Sequence, residues 1–235
     1  MGTLILVRHG RSTANREHVL AGRTPGVLLD ETGLRQAEEL VTRLDGHPIA
    51  AVVSSPLERC QGTVAPLAAA RGLAVTTDER VTEVDYGDWT GRALADLRKE
   101  PAWRIVQEQP SAMVFPGGEA MAAVSARAVA AARHYGGTDQ QTPRATPVNS
   151  SPDGAGSADD PGAVVLCAHG DVIAMILADA LGMHLDLFQR IVVAPASVSV
   201  VHYTEVRPMV AGVNLSGPVP APPRGRHGGA PEAVP

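Results

Sequence analysis

Two short runs carry residue types suited to phosphoryl chemistry. Arg8-His9-Gly10-Arg11-Ser12 lies near the start of the chain, and His169-Gly170-Asp171 lies far downstream. An imidazole can act as a nucleophile. A phosphoryl group spreads its charge over three oxygens, which guanidinium forks match. Arg8 precedes His9, and Arg59 falls in the first turn expected of a helix. Helix N-termini add backbone N–H donors for the same anion. Catalysis of phosphoryl transfer is mostly positioning and charge stabilisation, so such a set is sufficient in kind.

The elements that must position these residues can be read from hydrophobic runs. Thr3–Val7, Ile49–Val53 and Ala163–Cys167 are short, continuous apolar stretches, as expected of strands buried on both faces of a parallel sheet. Leu73–Thr77 and Val198–Tyr203 read as two further strands. Helices are expected over Gly33–Leu44, from Ser55 towards Ala70 with a kink at Pro66 and a stop at Gly72, over Ala120–Tyr135, and over Asp171–Leu181. Ser55, Pro56 and Glu58 together suggest a capped helix start. Strands alternating with helices predict a three-layer α/β/α sandwich around a mostly parallel sheet. Ligands of open α/β sheets bind beyond the carboxyl ends of strands. His9 and His169 each follow a strand directly, so the two His-Gly pairs are placed to converge on one pocket. Their glycines are expected to let the backbone turn and approach a ligand.

Composition bounds the rest. The chain has 235 residues, 44% apolar, with only 3% aromatic, so one core of Ala, Val, Leu and Ile is expected. A net charge of −5 argues against nucleic-acid binding, which needs a basic face. Cys60 and Cys167 are too few for a disulfide framework and read as buried thiols. No leader-like segment and no run of membrane-spanning length is seen, so a cytoplasmic protein with no membrane partner is expected. His18, His47, His134, His184, His202 and His227 show no metal-ligand spacing. A metal held by His9 and His169 is disfavoured because the flanking arginines would repel it. No P-loop pattern occurs. Residues 136–162, rich in Gly, Pro, Ser and Thr, are expected to form a flexible insertion. The domain is expected to span 1–206, with 207–235 a Pro- and Gly-rich, largely disordered tail.

At these residues the chain resembles the histidine phosphatase superfamily, in its phosphoglycerate mutase-like branch. The motifs are Arg8-His9-Gly10-x-Ser12-x-x-Asn15, Ser55-Pro56-Leu57-x-Arg59, Glu83 in Glu83-Val84-Asp85-Tyr86-Gly87-Asp88-Trp89-Thr90-Gly91, Phe115-Pro116-Gly117-Gly118-Glu119, and His169-Gly170. They occur in the family's order over roughly residues 3–206. The resemblance implies a phosphoglycerate mutase-like fold and a phosphohistidine formed on His9. It implies that Arg8, Arg59 and His169 hold phosphoryl oxygens and that Glu83 protonates the leaving alkoxide. Ser12 and Asn15 would line the phosphate pocket. Gly22 and Gly170 are included in the candidate site, with the Gly22–Pro25 loop in reach of substrate. Asn15 also has a simpler reading as a helix cap, and Glu119 as a cap of the helix after it. Trp89 and Trp103 read as packing residues. Arg11 departs from the pattern, which bears on substrate preference.

The implied activity is hydrolysis of a small phosphomonoester without cofactor or metal, at acidic to neutral pH. The resemblance also admits a phosphomutase, or an inactive phospholigand-binding protein. Family mutases carry a longer segment between the Glu83 motif and Pro116-Gly117-Gly118. Here that segment is short, with Arg104 its one basic residue between Pro101 and Gly118. Family members are often homodimers.

Overall fold

The computed structural model describes residues 2–137 and 162–220. Six strands form one sheet: β1 (Gly2–Arg8), β2 (Ile49–Ser54), β3 (Val75–Thr77), β4 (Ala163–Ala168), β5 (Val198–Tyr203) and β6 (Pro208–Leu215). Their spatial order is β3-β2-β4-β1-β5-β6. β3, β2, β4 and β1 run parallel, while β5 is antiparallel to β1 and to β6.

Period-two alternation divides the apolar residues of the central strands between two cores. Leu4 and Leu6 of β1 face one core, with Val53 and Leu166. Ile5 and Val7 face the other, with Val52, Val165 and Cys167. The first core is closed by α6 (Met121–Tyr135) and α7 (Gly170–Ala180), and the second by α2 (Glu31–Arg43) and α3 (Glu58–Arg71). Helices on both faces of a mostly parallel sheet give the expected three layers. A short α1 (Thr13–Glu17) follows β1, and α4 (Leu94–Leu97) and α5 (Trp103–Glu108) lie in the connection before α6.

Two expectations need correction. The Ser55–Glu58 capping box does not form. α3 starts at Glu58, its N-cap is Leu57 without a side-chain cap, and Glu58 instead accepts the Gly26 N–H. Ser55 is drawn away by His169, described below. The folded chain also continues past residue 206. β6 adds an edge strand whose burial alternates along its length, with Pro208 at the first position, where a missing N–H is tolerated. The Arg43 side chain then donates to the carbonyls of Leu215 and Gly217, and Arg43 O accepts from Val219 N. Residues 138–161, inside the expected insertion, and 221–235 of the expected tail lie outside the described residues. Among the described residues no helix is long and apolar enough to cross a membrane. Both cysteines are buried and unpaired.

Candidate active site

β1 and β4 are neighbours in register, with Arg8 opposite Ala168. The next residues, His9 and His169, therefore leave the sheet side by side. Their ring centroids are 5.3 Å apart, edge to face at 60°. His9 is almost fully buried at 3% exposure, and His169 is completely buried. His9 Nδ1 lies 2.7 Å from Gly10 O. A carbonyl only accepts, so Nδ1 carries the proton and Nε2 keeps the free lone pair. Burial first, then Arg59 and Arg8, lowers the His9 pKa to about 3.

The glycines act differently from expectation. A Cβ on Gly10 would sit 2.8 Å from Gly33 O, so the close approach there is to the backbone of α2. A Cβ on Gly170 would sit 3.2 Å from Arg8 Cζ and crowd the guanidinium.

Arg59, in the first turn of α3, is 2% exposed and donates from Nη2 to Gly22 O at 2.8 Å. The same nitrogen is 3.3 Å from His169 Nδ1. Arg8 donates from Nη1 to Val193 O. Arg8 Nε and Arg59 Nη1 are buried without an acceptor among the described residues. Buried donors are rarely left unpaired, and two charged ones on residues that line one cavity suit an anion. His169 Nε2 pairs with Ser55 Oγ at 2.8 Å. Burial, then Arg59, drives the His169 pKa well down.

Glu83 comes from a loop. Its Oε2 lies 3.5 Å from His169 Nδ1, and 12% of its side chain is exposed. Its carbonyl accepts from Arg23 Nε at 2.9 Å and from Arg127 Nη2 at 3.1 Å. Burial, then the nearby Asp171 carboxylate, raises the Glu83 pKa to about 7. Asp171 accepts the Tyr86 hydroxyl at 2.7 Å, and burial raises its own pKa.

One cavity of about 390 Å³ brings together Arg8, His9, Ser12, Asn15, Gly22, Arg59, Glu83 and Gly170. His169 does not line it but lies behind His9 and Arg59. Asn15 lines it too; Ser12, not Asn15, is the N-cap of α1, and Asn15 completes the capping box from the third helical position, its Oδ1 accepting from Ser12 N and Ser12 Oγ. Trp89 and Trp103 also face the cavity rather than only packing. Arg11 is outside the cavity, bound to Asp30 and Thr32, so its departure from the family pattern does not reach the site. Glu119 does not cap α6. It accepts from Asp85 N, Arg23 and Arg127, bracing the Glu83 loop. Sequence reasoning assigned no role to Asp171, Tyr86 or Arg127. Asp171 and Tyr86 stand inside runs quoted from the sequence, and no spacing signal marks Arg127.

This fold sets a buried imidazole pair, and two guanidinium groups that each keep one unpaired nitrogen among the described residues, at the strand ends, an arrangement suited to an anion. The description Histidine phosphatase superfamily (branch 1) matches residues 4–216, and the chain belongs to that family. It is 29% identical over 226 residues to phosphoserine phosphatase 1 of Hydrogenobacter thermophilus, covering 92% of this chain and 93% of that one. It is 29% identical over 203 residues to "Probable phosphoglycerate mutase GpmB" of Yersinia pestis, covering 85% of this chain and 84% of that one. Among solved structures it is similar to a mycobacterial glucosyl-3-phosphoglycerate phosphatase in complex with VO3. That likeness has a TM-score of 0.76 and 25% identity, over 92% of this chain and 100% of that chain.

Proposed function

We propose that this protein hydrolyses small phosphomonoesters through a phosphohistidine on His9. The observation that supports this most is the meeting of His9, Arg8, Arg59 and Glu83 at one end of the cavity. A neutral His9 with Nε2 free adjoins two guanidinium groups and a carboxyl that keeps its proton up to about pH 7.

In the first step Nε2 attacks phosphorus, the ester P–O bond breaks, and Glu83 gives its proton to the departing alkoxide. In the second step water attacks phosphorus, the P–N bond breaks, and the Glu83 carboxylate takes the water proton. Inorganic phosphate leaves. Arg8 and Arg59 meet the equatorial oxygens with donors that have no other partner. The incoming negative charge favours a protonated His169, which then supports the phosphoryl group from behind. Ser12, Asn15, Gly22 and Gly170 complete the phosphate wall. Arg8 and Arg59 also make the site hostile to a bound cation.

The pH dependence follows from two groups. Below about pH 3 His9 binds a proton and loses its lone pair. Above about pH 7 Glu83 loses the proton it must donate. kcat/KM for the unbound enzyme is expected to be bell-shaped between those limits. The relatives named as phosphatases agree with hydrolysis. One relative is named as a mutase; a phosphomutase reading would keep the first step and differ in the acceptor of the phosphoryl group.

The test is a rapid acid-free quench with a phosphomonoester, mapping base-stable, acid-labile phosphate to His9. Phosphate release is followed beside isomer formation. No adduct on active protein, or isomerisation outpacing release, overturns the reading.

A further inference from the structure

The cavity extends well past the space a phosphoryl group needs. Its volume of about 390 Å³ falls within the range of small-molecule pockets, about 300–1,000 Å³. Beyond the phosphate end its wall is mainly apolar. Trp89 and Trp103 stack with centroids 6.1 Å apart and planes at 19°, and Phe115 meets Trp89 edge-on at 5.3 Å. Leu94, Val106 and Ile191 continue that wall.

Charge is confined to the other end. Among the described residues the cavity's charged side chains are Arg8, Arg59, Glu83 and Asp171. The two cations face the phosphoryl group, and the two carboxyl groups adjoin it. The neighbouring basic residues are engaged elsewhere: Arg92 with Glu100, Lys99 with Asp96, and Arg104 with Glu108. Arg98 and Arg190 are the exceptions, both exposed and outside the wall. The exposed polar residues at this end of the lining, Gln107 and Gln189, are neutral. A carboxylate on the substrate would lose its hydration here without gaining a cation, which is costly. An apolar group would bury its surface against the stacked rings.

We infer that the alcohol esterified to phosphate is uncharged and apolar, with an aromatic ring, and is not a hydroxy acid or amino acid. This rests on hydrolysis at His9 and adds the substrate class. It sets the chain apart from its relative named for phosphoserine.

Three alkyl esters test it: 2-phenylethyl phosphate, O-phosphoserine and 3-phosphoglycerate. kcat/KM is measured by phosphate release with the full chain, and binding of the same esters to the His9→Ala protein is measured by calorimetry. The phenylethyl ester is expected to exceed both acids by at least about tenfold in each measurement. Trp103→Ala lowers its kcat/KM about tenfold, and lowers that of phosphoserine by a smaller factor. Gln107→Arg, at an exposed position and independent of any folding defect in the tryptophan variant, raises kcat/KM for phosphoserine. Equal or better use of the acids, or equal binding of all three esters to His9→Ala, overturns the inference while leaving hydrolysis intact. Preferential binding of the phenylethyl ester with no turnover of any ester sinks the hydrolysis reading and keeps the binding preference.

Discussion

The two ends of the cavity are built from different kinds of structure. At the phosphate end His9 and His169 directly follow β1 and β4, and Arg59 lies in the first turn of the fourteen-residue α3. At the apolar end Leu94 belongs to the four-residue α4, and Trp103 and Val106 belong to the six-residue α5. Helices that short do not persist in water alone, so tertiary packing must hold them. In the proposed reading, reaction chemistry is thus mounted on the sheet, and selectivity on small elements pressed against it. Glu83 is the exception, a loop residue at the phosphate end. Its backbone is held instead by Arg23, Arg127 and the Glu119 carboxylate that binds both arginines.

Substitutions at the two ends are expected to behave differently. His9→Gln removes the nucleophile, and turnover should fall on the order of 10⁴-fold or more for every ester alike. Residual turnover that depends strongly on the ester would break the division between the two ends. Glu83→Gln is expected to cost about 10²–10⁴-fold on alkyl esters and to abolish the loss of activity above pH 7. A pH–rate profile measured on the variant checks both. Arg127→Met leaves the carbonyls of Arg80, Thr82 and Glu83 without this donor. It should cost about 1–3 kcal/mol in urea unfolding and lower kcat with little change in ester preference.

Asp171→Asn removes a negative charge that raises the Glu83 pKa, while an amide oxygen can still accept from Tyr86. Glu83 then ionises at lower pH, so the alkaline limb moves down. Activity at pH 7 should fall severalfold while activity at pH 5 is nearly unchanged. An unmoved limb would mean the two carboxyl groups do not communicate. Arg11→Ala, outside the cavity, should leave kcat/KM within about twofold for all esters.

The phosphate end was legible in the sequence because continuous apolar runs identify buried strands, and strand ends identify a ligand site. The same logic located α3, whose Gly72 takes the left-handed conformation that ends the helix at φ 64°. What was not legible depends on three-dimensional proximity. Ser55 looked like a helix cap, but a buried imidazole from β4 claims its hydroxyl. His169 looked like a cavity residue, yet Arg59 and His9 stand in front of it. Trp103 and Val106 show no clean period because α5 is shorter than two turns. β6 was not legible although the Pro- and Gly-rich stretch begins only after Leu215, because an edge strand needs only one half-buried face, and its starting proline, tolerated there, reads as a strand breaker.

The central position of β1 and β4 has a consequence for heat tolerance. Backbone amides such as Val7 and Cys167 lie on adjoining inner strands, where exchange with deuterated solvent is expected to require opening of the whole molecule. Amides of α4 and α5 are expected to exchange through smaller local openings. Gentle warming should therefore erode discrimination between esters while hydrolysis itself survives, and activity should vanish only when the innermost strands separate.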